Sequence, residues 1–152
     1  MNKPHITAIL AVTALSFSAG AMAIRMSKSE HKASEKRIEG EYKSALKSCD
    51  SFSHNARNIC LAEAKRTEKI AKAELNAKYK PSSLATYEAG ITRAKADYSV
   101  TYAKCNESVG EVKDVCRKNA KTALAGAESD AAARLKAAKE SSAASNEHLR
   151  DI

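Results

Sequence analysis

The chain has 152 residues, with 26 Lys and Arg against 18 Asp and Glu, four Cys, two Pro and no Trp, for a net charge of +8. That length holds one modest domain and excludes a large multidomain enzyme. The basic excess speaks to the sign of a partner's charge, not to a fold.

Residues 1–23 read as an export signal. Lys3 and His5 form a short basic start, Ile6 to Ser16 an apolar run, and Ala21-Met22-Ala23 a small-x-small cleavage site, so the mature chain begins at Ile24. The apolar run is shorter than the roughly 20 residues of a membrane span, and no Cys follows the site to carry a lipid. A soluble periplasmic or secreted protein is expected. Removing residues 1–23 takes away one lysine and no acid, leaving 25 basic and 18 acidic side chains, a net charge of +7. Only 18 of the remaining 129 residues are Leu, Ile, Val or Phe, and 24 are Ala. Chains this poor in large aliphatics often fail to bury a core.

The first helix is expected to begin at Ser27, since Glu30 three residues later completes a capping-box signature. Its apolar stripe is Ile38, Tyr42, Leu46 and Cys49. Asp50-Ser51-Phe52-Ser53-His54-Asn55 is poor in helix formers and reads as a turn. A second helix follows along Ile59, Ala64, Ile70, Ala71 and Leu75. Pro81, with Ser82 and Ser83, breaks it, because proline removes a helical N–H and disfavours helix at the residue before it. The third stripe is Leu84, Tyr87, Ile91, Ala94, Tyr98, Tyr102 and Cys105, at steps of three and four. Asn106-Glu107-Ser108-Val109-Gly110 then carries a glycine suited to a helix end. The fourth stripe runs mostly in alanine: Val112, Cys116, Ala120, Ala123, Ala127, Ala131 and Leu135. Ala, Lys and Glu are strong helix formers, so propensity agrees with the pattern. From Ser141 the sequence is small and polar and is expected to fray.

Shifting the sequence by 56 residues aligns 27–80 with 83–136 without a gap. Eleven pairs are identical, among them Arg37/Arg93, Tyr42/Tyr98, Cys49/Cys105, Cys60/Cys116, Ala64/Ala120 and Ala71/Ala127. Superposition of both cysteine pairs marks an internal duplication. The expected organisation is a signal over 1–23, a first repeat over 24–80, a second over 81–140 and a flexible tail over 141–152.

Four cysteines in an exported chain imply two disulfides. Cys49 and Cys60 on one unbroken helix would stand about 16 Å apart, too far for a bond that holds Cα atoms within roughly 4.4–6.8 Å. The favoured reading is therefore all-α, with two tandem helical hairpins stapled by Cys49–Cys60 and Cys105–Cys116 and four helices able to pack as a bundle. In the alternative, each repeat is one long helix and the chain folds back at Pro81, pairing Cys49 with Cys116 and Cys60 with Cys105. The first gives the breaker-rich segments a purpose as turns.

A metal site would have to use the four cysteines with His31, His54 and His148, but no ligand pair falls at zinc-like spacing. Redox and haem motifs of the C-x-x-C type are lacking, as are the G-x-S-x-G elbow, the H-E-x-x-H helix and a glycine-rich phosphate loop. No catalytic, cofactor or metal residue is expected, and the site residues are the four disulfide cysteines. Glu39, Glu41, Glu63 and Glu68 sit among lysines and read as ion-paired helix faces. Tyr42, Tyr87, Tyr98 and Tyr102 read as helix-packing residues. An export signal argues against nucleic acid as a partner; envelope proteins or anionic envelope polymers fit the charge better.

The stretches Ala45–Lys65 and Lys104–Lys121, with Ala73-Glu74-Leu75-Asn76-Ala77-Lys78-Tyr79-Lys80-Pro81-Ser82, resemble a family of small exported beta-proteobacterial proteins with repeated C-x10-C units between Ala/Lys/Glu-rich helices. That family has no assigned function. Some members are labelled cell-envelope biogenesis proteins for their likeness in composition to the helical stalk of TolA. The family unit has Gly where this chain has His54, and the second copy departs at Val109-Gly110-Glu111, which implies different turn geometry in the two copies. The expected role, on the sequence as a whole, is that of a non-enzymatic periplasmic structural or interaction protein of the cell envelope. A small periplasmic chaperone is the alternative.

Overall fold

The computed structural model describes residues 26–150; the export signal and its cleavage site lie outside the described residues. The helices are α1 (Lys28–Cys49), α2 (His54–Tyr79), α3 (Ser83–Lys104) and α4 (Gly110–His148), with a single 3-10 turn at Cys105–Glu107. No helix among the described residues is long and apolar enough to cross a membrane.

The ends of the helices follow from their capping residues. Ser27 Oγ accepts from the Glu30 N–H at 3.2 Å, and the Glu30 carboxylate accepts from the Ser27 N–H at 2.7 Å. These bonds satisfy two otherwise orphaned donors. The bond from the Ser27 backbone, and then that with its side chain, hold the Glu30 carboxyl below its ordinary pKa. Ser82 caps α3 in the same manner, accepting from the Ala85 N–H at 3.0 Å.

Both cysteine pairs bond within their own repeat, Cys49–Cys60 and Cys105–Cys116, each with Cα atoms 5.6 Å apart. The cross-pairing of Cys49 with Cys116 and Cys60 with Cys105 is not adopted. The reason is local: Asp50–Ser53 leaves the helical path, and the chain re-enters helix at His54 with φ 48°. The equivalent residue, 56 positions later, is Gly110 with φ 56°. The residues before them, Ser53 and Val109, share φ −126° and ψ near 160°. The two turns thus re-enter helix alike, despite the departures from the family unit. Glycine enters the left-handed region freely, whereas a side chain there costs about 1–2 kcal/mol.

Helices pack in chain order, α1 on α2, α2 on α3 and α3 on α4, with the largest interface between α2 and α3. Among the described residues α1 and α4 share no comparable interface. The result is a row in which each helix packs mainly on its neighbours along the chain. The faces explain it. Ile70, Ala96 and Val100 are buried on the stripes where α2 meets α3. Their repeat equivalents on the outer helices are Gly126, Gly40 and Ser44. Small or polar residues at these positions deprive the outer helices of the stripe that α2 and α3 bury, as at the ends of a repeat array.

Ten hydrophobic side chains are buried among the described residues, and four of them are alanine (Ala64, Ala94, Ala96, Ala120) and two are cysteine (Cys49, Cys105). The expected stripes are therefore only partly inside: Leu84 is 53% and Val112 67% exposed. Helix α3 lies between two neighbours, so Ala96 and Val100 form a second buried face that a single stripe did not foresee. Helix α4 also differs from expectation, running past Ser141 to His148. The Ser142 and Ser145 hydroxyls donate back to the carbonyls of Ala138 and Ser141 at 2.8 and 3.0 Å, and extending an established helix needs no new nucleus.

Candidate functional site

In each repeat the two helices meet at the disulfide and again at the opposite end, through His31 and Tyr79 in the first and Gly90 and Ala131 in the second. In the first repeat that opposite end is sealed. His31 lies 4.3 Å from the Tyr79 ring, its Nε2 is 3.0 Å from Asn76 Oδ1 and its Nδ1 is 3.5 Å from Glu35. Ile38 and Leu75 are buried one to two turns nearer the disulfide. In the second repeat the same four sealing positions hold Tyr87, Leu135, Ala132 and Ile91, and Ile38 and Leu75 become Ala94 and Ala131.

The consequence is a cleft of about 660 Å³ between α3 and α4. Gly90, Ala94, Ala127 and Ala131 form its floor, with Tyr87 and Leu135 near the Pro81–Ala138 end. A methyl group on Gly90 would stand 3.5 Å from the Ala131 methyl, so α3 and α4 approach closely there. Arg93, Asp97, Asp130 and Arg134 supply the polar rim. Arg93 pairs with Glu74 and Asp97 with Arg66, both across the α2–α3 boundary. Asp130 and Arg134 form no ion pair within 4 Å among the described residues.

The first repeat opens at its other end. A smaller cleft of about 350 Å³ lies beside Cys49–Cys60, lined by Ile38, Tyr42, Ala45, Ala64 and Ala71, with Glu41, Glu63 and Glu68 at its edge. Those acids are paired as expected for solvated faces: Arg37 with Glu41 at 2.7 Å, Lys104 with Glu63 at 2.8 Å and Lys72 with Glu68 at 2.7 Å. The Glu68 hydrogen bond holds the Lys72 ammonium above its ordinary pKa. In the second repeat the disulfide end is filled. Arg117 lies 4.6 Å over the Tyr102 ring and Tyr98 stands 5.7 Å from Tyr102. The equivalents of Arg117 and Tyr102 in the first repeat are Leu61 and Leu46.

Cys49 and Cys105 are fully buried beside their bonds, with no free cysteine among the described residues. His31, His54 and His148 are not brought together; they begin α1, begin α2 and end α4. No group of three His, Cys, Asp or Glu suited to a metal occurs among the described residues. Of the four tyrosines read from the sequence as helix-packing residues, Tyr42 lines the first cleft and Tyr87 the second, while Tyr98 and Tyr102 lie against each other near the second disulfide. Sequence reasoning missed Gly90, Ala131, Arg117 and Arg134. Their signal was the position-by-position difference between the repeats, where large aliphatics in one copy face alanine or glycine in the other.

The chain matches no protein-family model, no curated protein sequence and no solved structure. Fold and cleft geometry alone therefore bear on its role.

Proposed function

We propose that this chain is a non-enzymatic interaction protein of the cell envelope, exported through residues 1–23 and built as two tandem helical hairpins, each stapled by its disulfide. The supporting observation is the pair of short-range disulfides in a small core whose other buried side chains are half alanine. Such a core needs covalent help, and disulfides persist in oxidising compartments. The resemblance to small exported C-x10-C proteins points the same way, and a net charge of +7 after processing suits envelope proteins or anionic envelope polymers as partners.

Disulfide mapping of protein recovered from the periplasm tests this. The expected result is fully oxidised Cys49–Cys60 and Cys105–Cys116 on a chain beginning at Ile24. Reduced, unprocessed protein retained in the cytoplasm would overturn it.

The apolar cleft between α3 and α4 favours a second reading, a small periplasmic chaperone that holds unfolded clients. Suppressed aggregation of a reduced model client at substoichiometric to equal ratios supports that role. Unaltered aggregation leaves the first reading.

A further inference from the structure

We infer that the cleft between α3 and α4 is a binding site for a free anionic single-chain amphiphile of the fatty-acid class. The inference rests on reading the chain as a binding protein, not an enzyme. At about 660 Å³ the cleft lies within the usual range of ligand sites, and its floor is apolar. It is also long. From Ser83 to Asp97 it follows about 21 Å of helix at 1.5 Å rise per residue, the reach of an extended acyl tail.

Charge is ordered along that length. At the inner end Asp97 is paired with Arg66 and Arg93 with Glu74, so Asp130, midway, is the uncompensated charge inside, and it disfavours an anionic head there. Arg134 stands near the mouth, and a shallow hollow behind Tyr87 and Leu135 adds Lys136 and Lys139, together with Glu140. Glu140 is spent at 3.9 Å from Lys136. Arg134 and Lys139 form no ion pair within 4 Å among the described residues. A carboxylate at the mouth therefore meets uncommitted cations, and a guanidinium binds it with charge-assisted hydrogen bonds.

The first repeat serves as the internal control. The same fold closes this position with Ile38, Leu75 and the stacked His31 and Tyr79. The second repeat carries Ala94 and Ala131 instead, and α3 and α4 approach closely at Gly90 and Ala131. A site that the scaffold is able to seal, left open and lined by cations at one end, fits a ligand with one tail and one anionic head.

The test uses the oxidised, processed protein and dodecanoate below its micelle concentration, followed by calorimetry. Saturable binding at one site is expected. Dodecyltrimethylammonium, with the same tail and opposite charge, should bind at least about tenfold more weakly, and acetate should not register. Exchanging Ala94→Ile with Ala131→Leu installs the residues of the first repeat and should weaken dodecanoate binding about tenfold or more with helicity retained. Arg134→Gln should weaken it about fivefold.

A second measurement covers the event that the filled variant fails to fold. A nitroxide-bearing fatty acid should broaden the methyl resonances of Ala127 and Ala131 in the unaltered protein, and leave those of Ala64 and Ala71 sharp. Equal affinity for the cationic amphiphile, binding that survives the filled cleft, or broadening at Ala64 would overturn the inference. So would a dimer abolished by filling the cleft, which would make a second copy its occupant. Absence of binding by an oxidised, exported protein would sink this inference alone and leave the proposed function standing.

Discussion

The two repeats share a helical pattern, a disulfide and a left-handed entry to their second helix, yet they are sealed at opposite ends. In the first, His31, Tyr79, Ile38 and Leu75 close the end away from the disulfide, and the open space lies beside Cys49. In the second, Tyr98, Tyr102 and Arg117 fill the disulfide end, and the space lies at the far end. A duplicated scaffold thus keeps its backbone and exchanges its filling. The lesson is that a repeat constrains where helices run, while side-chain volume at a few facing positions decides where a cleft opens.

Removing the staples should produce the largest effect. Each disulfide spans 11 residues of sequence and stabilises by about 3 kcal/mol in the chain-entropy account. Two of them are a large share of the roughly 5–15 kcal/mol of a typical domain. Reduction should sharply lower the helical circular-dichroism signal or the melting temperature, and an unchanged melt would break the stapling account. The comparison sharpens this: Cys105→Ala with Cys116→Ala should cost more helix than the Cys49 and Cys60 pair, because the second repeat buries only Val100 among its large aliphatics where the first buries Ile38, Ile70 and Leu75.

Next in size is Ile38→Ala, expected to destabilise by about 2–4 kcal/mol in chemical denaturation, since the site is 4% exposed. The change gives the first repeat the residue that the second has at 94. It should open the sealed end of the first repeat. A loss below about 0.5 kcal/mol would mean that Ile38 does not seal it.

The turn positions should respond in opposite directions. Gly110→Ala forces a side chain into φ 56° with nothing within 4 Å to hinder it, so its cost is backbone alone, about 1–2 kcal/mol. His54→Gly relieves the same conformation and should stabilise by up to about 1 kcal/mol, offset in part by glycine's extra unfolded freedom. Equal signs for the two changes would show that the turns are not equivalent.

The smallest effect belongs to the capping box, which the first repeat has and the second lacks, because Ser82 caps α3 and Ala85 stands at the position that Glu30 holds in α1. Glu30 has its folded-state pKa below the ordinary 4.5. Its contribution is therefore present above that value and lost as pH falls through the lowered one. The melting-temperature difference between the wild type and Glu30→Ala should shrink on acidification across that window. A difference independent of pH would remove the carboxylate from the cap.

Much of the fold was legible in residues taken singly. Ser27 with Glu30, the breakers around Pro81 and the C-x10-C spacing place helix ends within a few residues of those observed, because caps and turns are local chemistry. The clefts were not legible. Ala94 and Ala131 look like ordinary members of an alanine stripe until α3 and α4 are set in register, and only then do two methyl groups stand where Ile38 and Leu75 stand in the other copy. Likewise Arg117 reads as one more surface cation until Tyr102 is found beneath it.

By itself, then, the sequence determined the helical content, the caps and the turns that bring each cysteine to its partner, all of which follow from local propensity and spacing. Tertiary structure decided the rest. It arranged the helices as a row, with Gly40, Ser44 and Gly126 on the outer helices where Ala96, Val100 and Ile70 are buried on the inner ones, and opened each repeat at a different end. Those outcomes depend on which side chains face one another across helices, and that register is a property of packing.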